Sequence, residues 1–145
     1  MGVDYKNVIY RINCLASDLD SLYHRAALKL GISDSVMFLL YLLYEKDGKC
    51  PLGDIRKKTG ISKQTLNSAL RKSEGEGIIY LEQGLGRSKN VCLTPKGRDY
   101  ANQTAARLFD AECGAFAEWS ESEIELYLNL TEKYNNDFRK QIEQM

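Results

Sequence analysis

Apolar residues recur through the first thirty positions at steps of four and three: Val8, Ile12, Leu15, Leu19, Leu22, Ala26 and Leu30. That spacing predicts a long helix over Tyr5 to Leu30, with a seam suited to lengthwise packing against another helix. Ile9, Ala16, Tyr23 and Ala27 widen the stripe beyond one neighbour's reach. Gly31 closes the helix, and Ser33 or Asp34 caps the next. Ser35 to Glu45 is apolar nearly all round and runs eleven residues without a turn signal, which predicts a central, buried helix rather than a strand. Asp47-Gly48 turns the chain, and Lys49-Cys50 fits a very short strand.

Between Pro51 and Lys72 the pattern shortens. Leu52 and Ile55 predict a brief helix, and Ile61, Leu66 and Leu70 supply the apolar positions that face it. Gly60 falls where the chain leaves that helix, a position that often takes positive φ. Ser62 is placed to cap a second helix from Lys63 to about Glu76. Its inner face holds Leu66, Ala69 and Leu70, and its outer face holds Lys63, Gln64, Asn67, Ser68 and Arg71. Ammonium, guanidinium and amide groups on one exposed face are the chemistry that reaches phosphates and base edges in a major groove. A solvated amphipathic hairpin is the plainer alternative.

The residues beyond this helix pair favour the groove-binding reading. Gly77 stops the second helix, and Ile78-Ile79-Tyr80-Leu81 is a β-branched and aromatic run that predicts a strand. Gln83 to Asn90 reads as a basic hairpin tip and Val91-Cys92-Leu93 as the returning strand. Thr94 caps a fifth helix, with Pro95 at its first position, expected to run to about Phe116. Ser120 and Glu123 then form a capping-box pattern ahead of a sixth helix ending near Gln144, with Ile124, Tyr127, Leu128, Thr131, Tyr134, Phe138 and Ile142 as its stripe. The order helix, turn, helix, strand, basic tip, strand, helix predicts a mainly α (α+β) winged helix-turn-helix. Arg87 and Lys89 of the wing would lie against a minor groove or the phosphate backbone. The terminal stripes lack partners in a domain of this size. They are expected to pack together and to bury their excess against a second copy.

Charge adds a second signal. The chain of 145 residues is neutral overall, with 20 basic and 20 acidic residues, but the charges are not evenly spread. Residues 49–98 hold eleven Lys or Arg against four Asp or Glu, and the remainder is net acidic by the same amount. Positive potential is thereby concentrated on the helix-turn-helix and wing. No apolar run approaches a membrane span, and Asp4, Lys6 and Arg11 make the N-terminus unlike a secretory signal, so a cytoplasmic location is expected. Cys14, Cys50, Cys92 and Cys113 form no CxxC pair. With one histidine in the chain, neither a metal site nor a cofactor is expected, and the thiols read as buried or partly buried and reduced. No nucleophile elbow, phosphate loop or metal motif points to an enzyme.

On these residues the sequence resembles the MarR family of bacterial transcriptional regulators over nearly its whole length. The likeness is carried by Leu30-Gly31-Ile32-Ser33, by Gly60-Ile61-Ser62-Lys63-Gln64-Thr65, by Gly77-Ile78-Ile79 and by Leu93-Thr94-Pro95-Lys96-Gly97. The family's wing usually carries an Asp followed by two basic residues. Leu85, Gly86 and Arg87 stand there, and only Arg87 matches. Ser73 occupies a position that is commonly Leu, and Gly75 interrupts the end of the recognition helix. The resemblance implies a two-fold dimer made by the N- and C-terminal helices, here residues 1–32 and 98–145, with residues 33–97 as the DNA-binding region. It implies a pseudo-palindromic double-stranded operator. Gln64 and Asn67 are expected as base readers, and Ser62, Thr65, Lys72 and Arg87 chiefly as phosphate contacts. It further implies a small aromatic or lipophilic effector, for which Tyr23, His24, Phe38, Tyr41 and Tyr44 are the candidate lining residues. Two other readings stand beside it: a winged helix that docks protein instead of DNA, and a regulator that senses oxidants through Cys14.

Overall fold

The computed structural model describes residues 2–58 and 60–145. Their contacts divide the chain into two units, Met1–Phe109 and Asp110–Met145.

In the first unit, α1 (Tyr5–Leu30) begins with the Asp4 side chain accepting from Asn7 N–H. It ends at Gly31, whose left-handed φ of 72° lets Gly31 and Ile32 return hydrogen bonds to Leu28 and Ala27. Next comes α2 (Asp34–Glu45), and Ser33, rather than Asp34, is its cap, accepting from Val36 N–H. Met37, Leu39, Leu40 and Leu43 of α2 are all but inaccessible, as an almost wholly apolar helix requires. Around Leu39, Leu40 and Leu43 gather Cys50 and Ile55, then Leu66 and Ala69, then Ile79, Val91, Leu93, Ala101 and Ala105. A smaller cluster joins Ala27, Met37 and Leu108.

The sheet has three antiparallel strands in the order β1 (Lys49–Pro51), β3 (Lys89–Leu93), β2 (Ile79–Gln83). Cys92 lies opposite Lys49 on one side and Tyr80 on the other. Between β1 and β2 run the two short helices α3 (Leu52–Lys58) and α4 (Lys63–Gly75). Among the described residues the left-handed glycines are Gly31, Gly48, Gly77 and Gly86.

One expected helix is two. α5 (Pro95–Gln103) stops at Thr104, and α6 (Ala105–Phe116) starts directly after it. Thr104 is buried, and its hydroxyl donates to the Tyr100 carbonyl at 2.7 Å, the acceptor its own N–H would use in a continuous helix. The Thr104 N–H bonds Ala101 instead, and the backbone departs from helical geometry at φ −125°, ψ −81°.

In the second unit, Phe116, Trp119 and Tyr127 meet edge-on or tilted at centroid distances of 5.0–6.2 Å around the turn into α7 (Glu121–Glu143). Ser120 caps α7, accepting from Glu123 N–H. No residue of α7 is buried, although Leu126, Leu128, Leu130, Phe138 and Ile142 lie along it. No single helix among the described residues is long and apolar enough to cross a membrane.

Candidate nucleic-acid interface

α4 is fixed at its start by Ser62, whose hydroxyl accepts from Thr65 N–H at 3.1 Å and donates to Thr65 Oγ1 at 2.8 Å. Ser62 thereby commits its hydroxyl to the cap, while the Thr65 hydroxyl keeps its own proton to donate outward. Leu66, Ala69 and Ser73 are buried and turn the helix's inner face onto the core. At 100° per residue this sends Gln64, Ser68 and Arg71 to the middle of the outer face. Lys63, Thr65 and Lys72 are exposed at its margins, and Asn67 is half-buried at one edge. The burial of Ser73 accounts for a small polar residue on an otherwise apolar face: it sits inside, not on the outer face.

The wing tip owes its shape to hydrogen bonds. Gly86 adopts φ 63°, Gln83 Nε2 donates to the Gly86 carbonyl at 2.7 Å, and the Ser88 hydroxyl donates to the Leu85 carbonyl. These bonds close the tip without an acidic partner for Arg87. Arg87 and Lys89 are exposed and have no ion-pair partner among the described residues. The base of the wing is tied by Lys49 Nζ to Glu82 Oε1 at 2.6 Å, which spans from β1 to β2. That contact holds the Glu82 carboxyl below its ordinary range and raises the Lys49 ammonium. Cys92 Sγ lies 3.7 Å from the other Glu82 oxygen, and burial, together with the nearby carboxylate, pushes this thiol up.

Sequence reasoning passed over one feature of this face. Arg56, Lys57 and Lys58 end α3, all exposed. The first helix of a helix-turn-helix crosses the phosphate backbone, and three successive cations at its end were the available signal.

The five residues named for an effector separate into different surroundings. Tyr23 and Tyr41 pack against the Ala27–Met37–Leu108 cluster. His24 Nδ1 sits 3.0 Å from both Asp34 carboxylate oxygens. Phe38 is exposed. Tyr44 tilts against Phe109 at 5.8 Å and lines a cavity of about 190 Å³ with Asp47, Gly48, Leu93, Arg98, Ala101 and Asn102. Of the thiols expected to be at least partly buried, Cys50 and Cys92 are buried, but Cys14 and Cys113 are exposed. Every residue of α1 as far as Leu22 is exposed, Cys14 among them, and Cys113 lies in the exposed last turns of α6. Among the described residues no group of His, Cys, Asp and Glu is placed to hold a metal ion.

No protein-family model and no curated protein matches the chain. Solved structures do. A MarR family regulator from Neisseria meningitidis superimposes with a TM-score of 0.78 at 19% identity, covering 99% of both chains. A MarR family transcriptional regulator from Silicibacter pomeroyi gives 0.69 at 23% identity over 88% of this chain and 86% of its own. An organohalide-sensing transcriptional regulator in its 2,4-dichlorophenol-bound form gives 0.62 at 15% identity, over 92% and 82%. At these identities the shared property is the fold, a MarR-type winged helix.

Proposed function

We propose that the chain is a dimeric, sequence-specific DNA-binding transcriptional regulator of the MarR type, acting as a ligand-responsive repressor. The observation that carries this reading is the outer face of α4, where Gln64, Ser68 and Arg71 stand exposed with Lys63 at the margin, together with a wing whose Arg87 and Lys89 are exposed as well. A protein-docking winged helix would be expected to present apolar or acidic residues there. Gln64 and Asn67 pair with base edges; Thr65, Lys72, Arg87 and Lys89 hold phosphates and set register. Ser62 acts through the helix cap more than through direct contact.

Dimerisation is supported by what the single chain leaves in water. Leu15 is 66% exposed and Leu22 54% on α1, and Leu126 and Leu128 are each 58% exposed on α7. Apolar rows of this length mark an interface, and a second copy of the same chain is the partner of this reading. Two recognition helices about 34 Å apart then meet successive major-groove turns of a pseudo-palindromic duplex. A small aromatic effector is supported by the Tyr44 cavity and by the dichlorophenol-bound relative of the same fold.

Selection of fragments from a random duplex pool by the purified protein tests the core of the reading. A consensus with two half-sites is expected; a pool that stays unenriched at low ionic strength defeats it. Asn67→Ala should relax preference at one or two base pairs by about 1–3 kcal/mol, whereas Arg87→Ala should weaken all duplexes alike and reduce the salt dependence. Thermal-shift screening with chlorinated phenols and aromatic acids tests the effector.

A further inference from the structure

The recognition helix is gripped at its far end by residues that lie outside the proposed DNA-contact set. α4 finishes in a Schellman arrangement: Gly77, at φ 73°, returns its N–H to Glu74, and Ile78 returns its N–H to Ser73. The next three carbonyls, of Glu76, Gly77 and Ile78, point onward, and all three are taken by the start of α5. Lys96 Nζ donates to the Glu76 carbonyl at 2.8 Å. The Thr94 hydroxyl donates to the Gly77 carbonyl at 2.5 Å, and the Thr94 N–H donates to the Ile78 carbonyl at 3.0 Å. The same hydroxyl accepts from Gly97 N–H at 2.9 Å, so one oxygen caps α5 and binds the end of α4. Gly97 seals the contact: a Cβ there would stand 1.9 Å from the Ile78 carbonyl oxygen.

From this geometry we infer that Thr94 and Lys96 are positioning residues for DNA recognition, holding the C-terminal end of α4 so that its outer face meets the groove at a fixed angle. The inference rests on the DNA-binding reading above. The physical reason is that a helix anchored only along its inner face can still rock about its axis. Three consecutive carbonyls tied to a second helix remove that freedom, and the Lys96 ammonium at a helix C-terminus is favoured by the dipole. Without the clasp, α4 is free to pivot at Gly77, where the backbone already adopts its left-handed turn.

The test compares full-length wild type with Thr94→Ala, Thr94→Ser and Lys96→Met on a selected duplex and on random duplex. Thr94→Ala and Lys96→Met should lose about three- to tenfold in affinity for the selected site, the span of one ordinary hydrogen bond. Affinity for random duplex and the slope of affinity against salt should hold. Thr94→Ser keeps the hydroxyl and should restore the selected-site affinity. A purely structural role would lower the unfolding temperature and leave the ratio of selected to random binding unchanged, which overturns the inference. Equal losses on both duplexes overturn it too, because they make Lys96 a phosphate contact. Should Thr94→Ala fail to fold, the exposed Lys96→Met decides alone. A wild type that enriches no duplex removes the DNA-binding reading, and this inference with it, before any variant is compared.

Discussion

Replacing Gly97 with alanine sets two effects of opposite sign against each other. Gly97 is the third residue of α5, and alanine is favoured over glycine in a helix interior by up to about 1 kcal/mol, less near an end. Against that stands the Ile78 carbonyl. The added methyl would sit 1.9 Å from its oxygen and 2.9 Å from its carbon, where real contacts stay beyond 3.0 Å. The first turn of α5 and the strand entry must therefore separate by about 1 Å. The obstacle is backbone and has no rotamer into which it can retreat. Overpacking of this kind costs about 1–3 kcal/mol. The same movement stretches the Thr94 bonds to Gly77 and Ile78, at about 1 kcal/mol for each bond lost. The net expectation is a loss of about 2–3 kcal/mol, read by equilibrium urea unfolding at matched protomer concentration, since association shifts apparent stability. Gly114→Ala in α6 is the control. No atom lies within 4 Å of its would-be Cβ, so it should gain about 0.5–1 kcal/mol. A Gly97→Ala protein as stable as its parent, or more so, would refute the steric account and leave propensity as the winner.

Leu15→Glu, placed on the exposed row of α1, should convert the protein to monomer in sedimentation velocity without unfolding it; persistence of the dimer would remove α1 from the interface. Lys49→Met should return the Glu82 titration, followed by carboxyl NMR, towards its ordinary value of 4.5, because the lost ammonium is what lowers it. By the same sign, the wing-base contact is present above that value and disappears as pH falls through the lowered one; an unchanged Glu82 titration in the variant would deny the pairing. Native protein at neutral pH should resist alkylation at Cys50 and Cys92, where burial raises both thiols, so a rapid reaction at either would show the sheet opening locally.

Much of this protein was legible in the order of its residues. The four-and-three spacing from Val8 to Leu30 gave α1 its observed bounds, and the unbroken apolar run after Ser35 marked the buried α2, because helix period and burial are both written in side-chain type. Ser62, Thr94 and Ser120 were legible as caps for the same local reason, as was the polar outer face of α4. Whatever the chain's pattern left open depends on groups distant in sequence or on geometry that propensity does not encode. At Thr104 the backbone leaves helical geometry and its amide turns to Ala101, within a stretch whose apolar spacing continues undisturbed. Ser73 reads as one more polar residue until the packing around it puts it inside. The wing tip closes through side-chain bonds of Gln83 and Ser88 to backbone carbonyls. Thr94, Lys96 and Gly97 belong to one helix by sequence, and only the return of the chain brings them against the carbonyls that end another. Local periodicity determines which elements form, and tertiary contact decides which backbone atoms of those elements are left to be held.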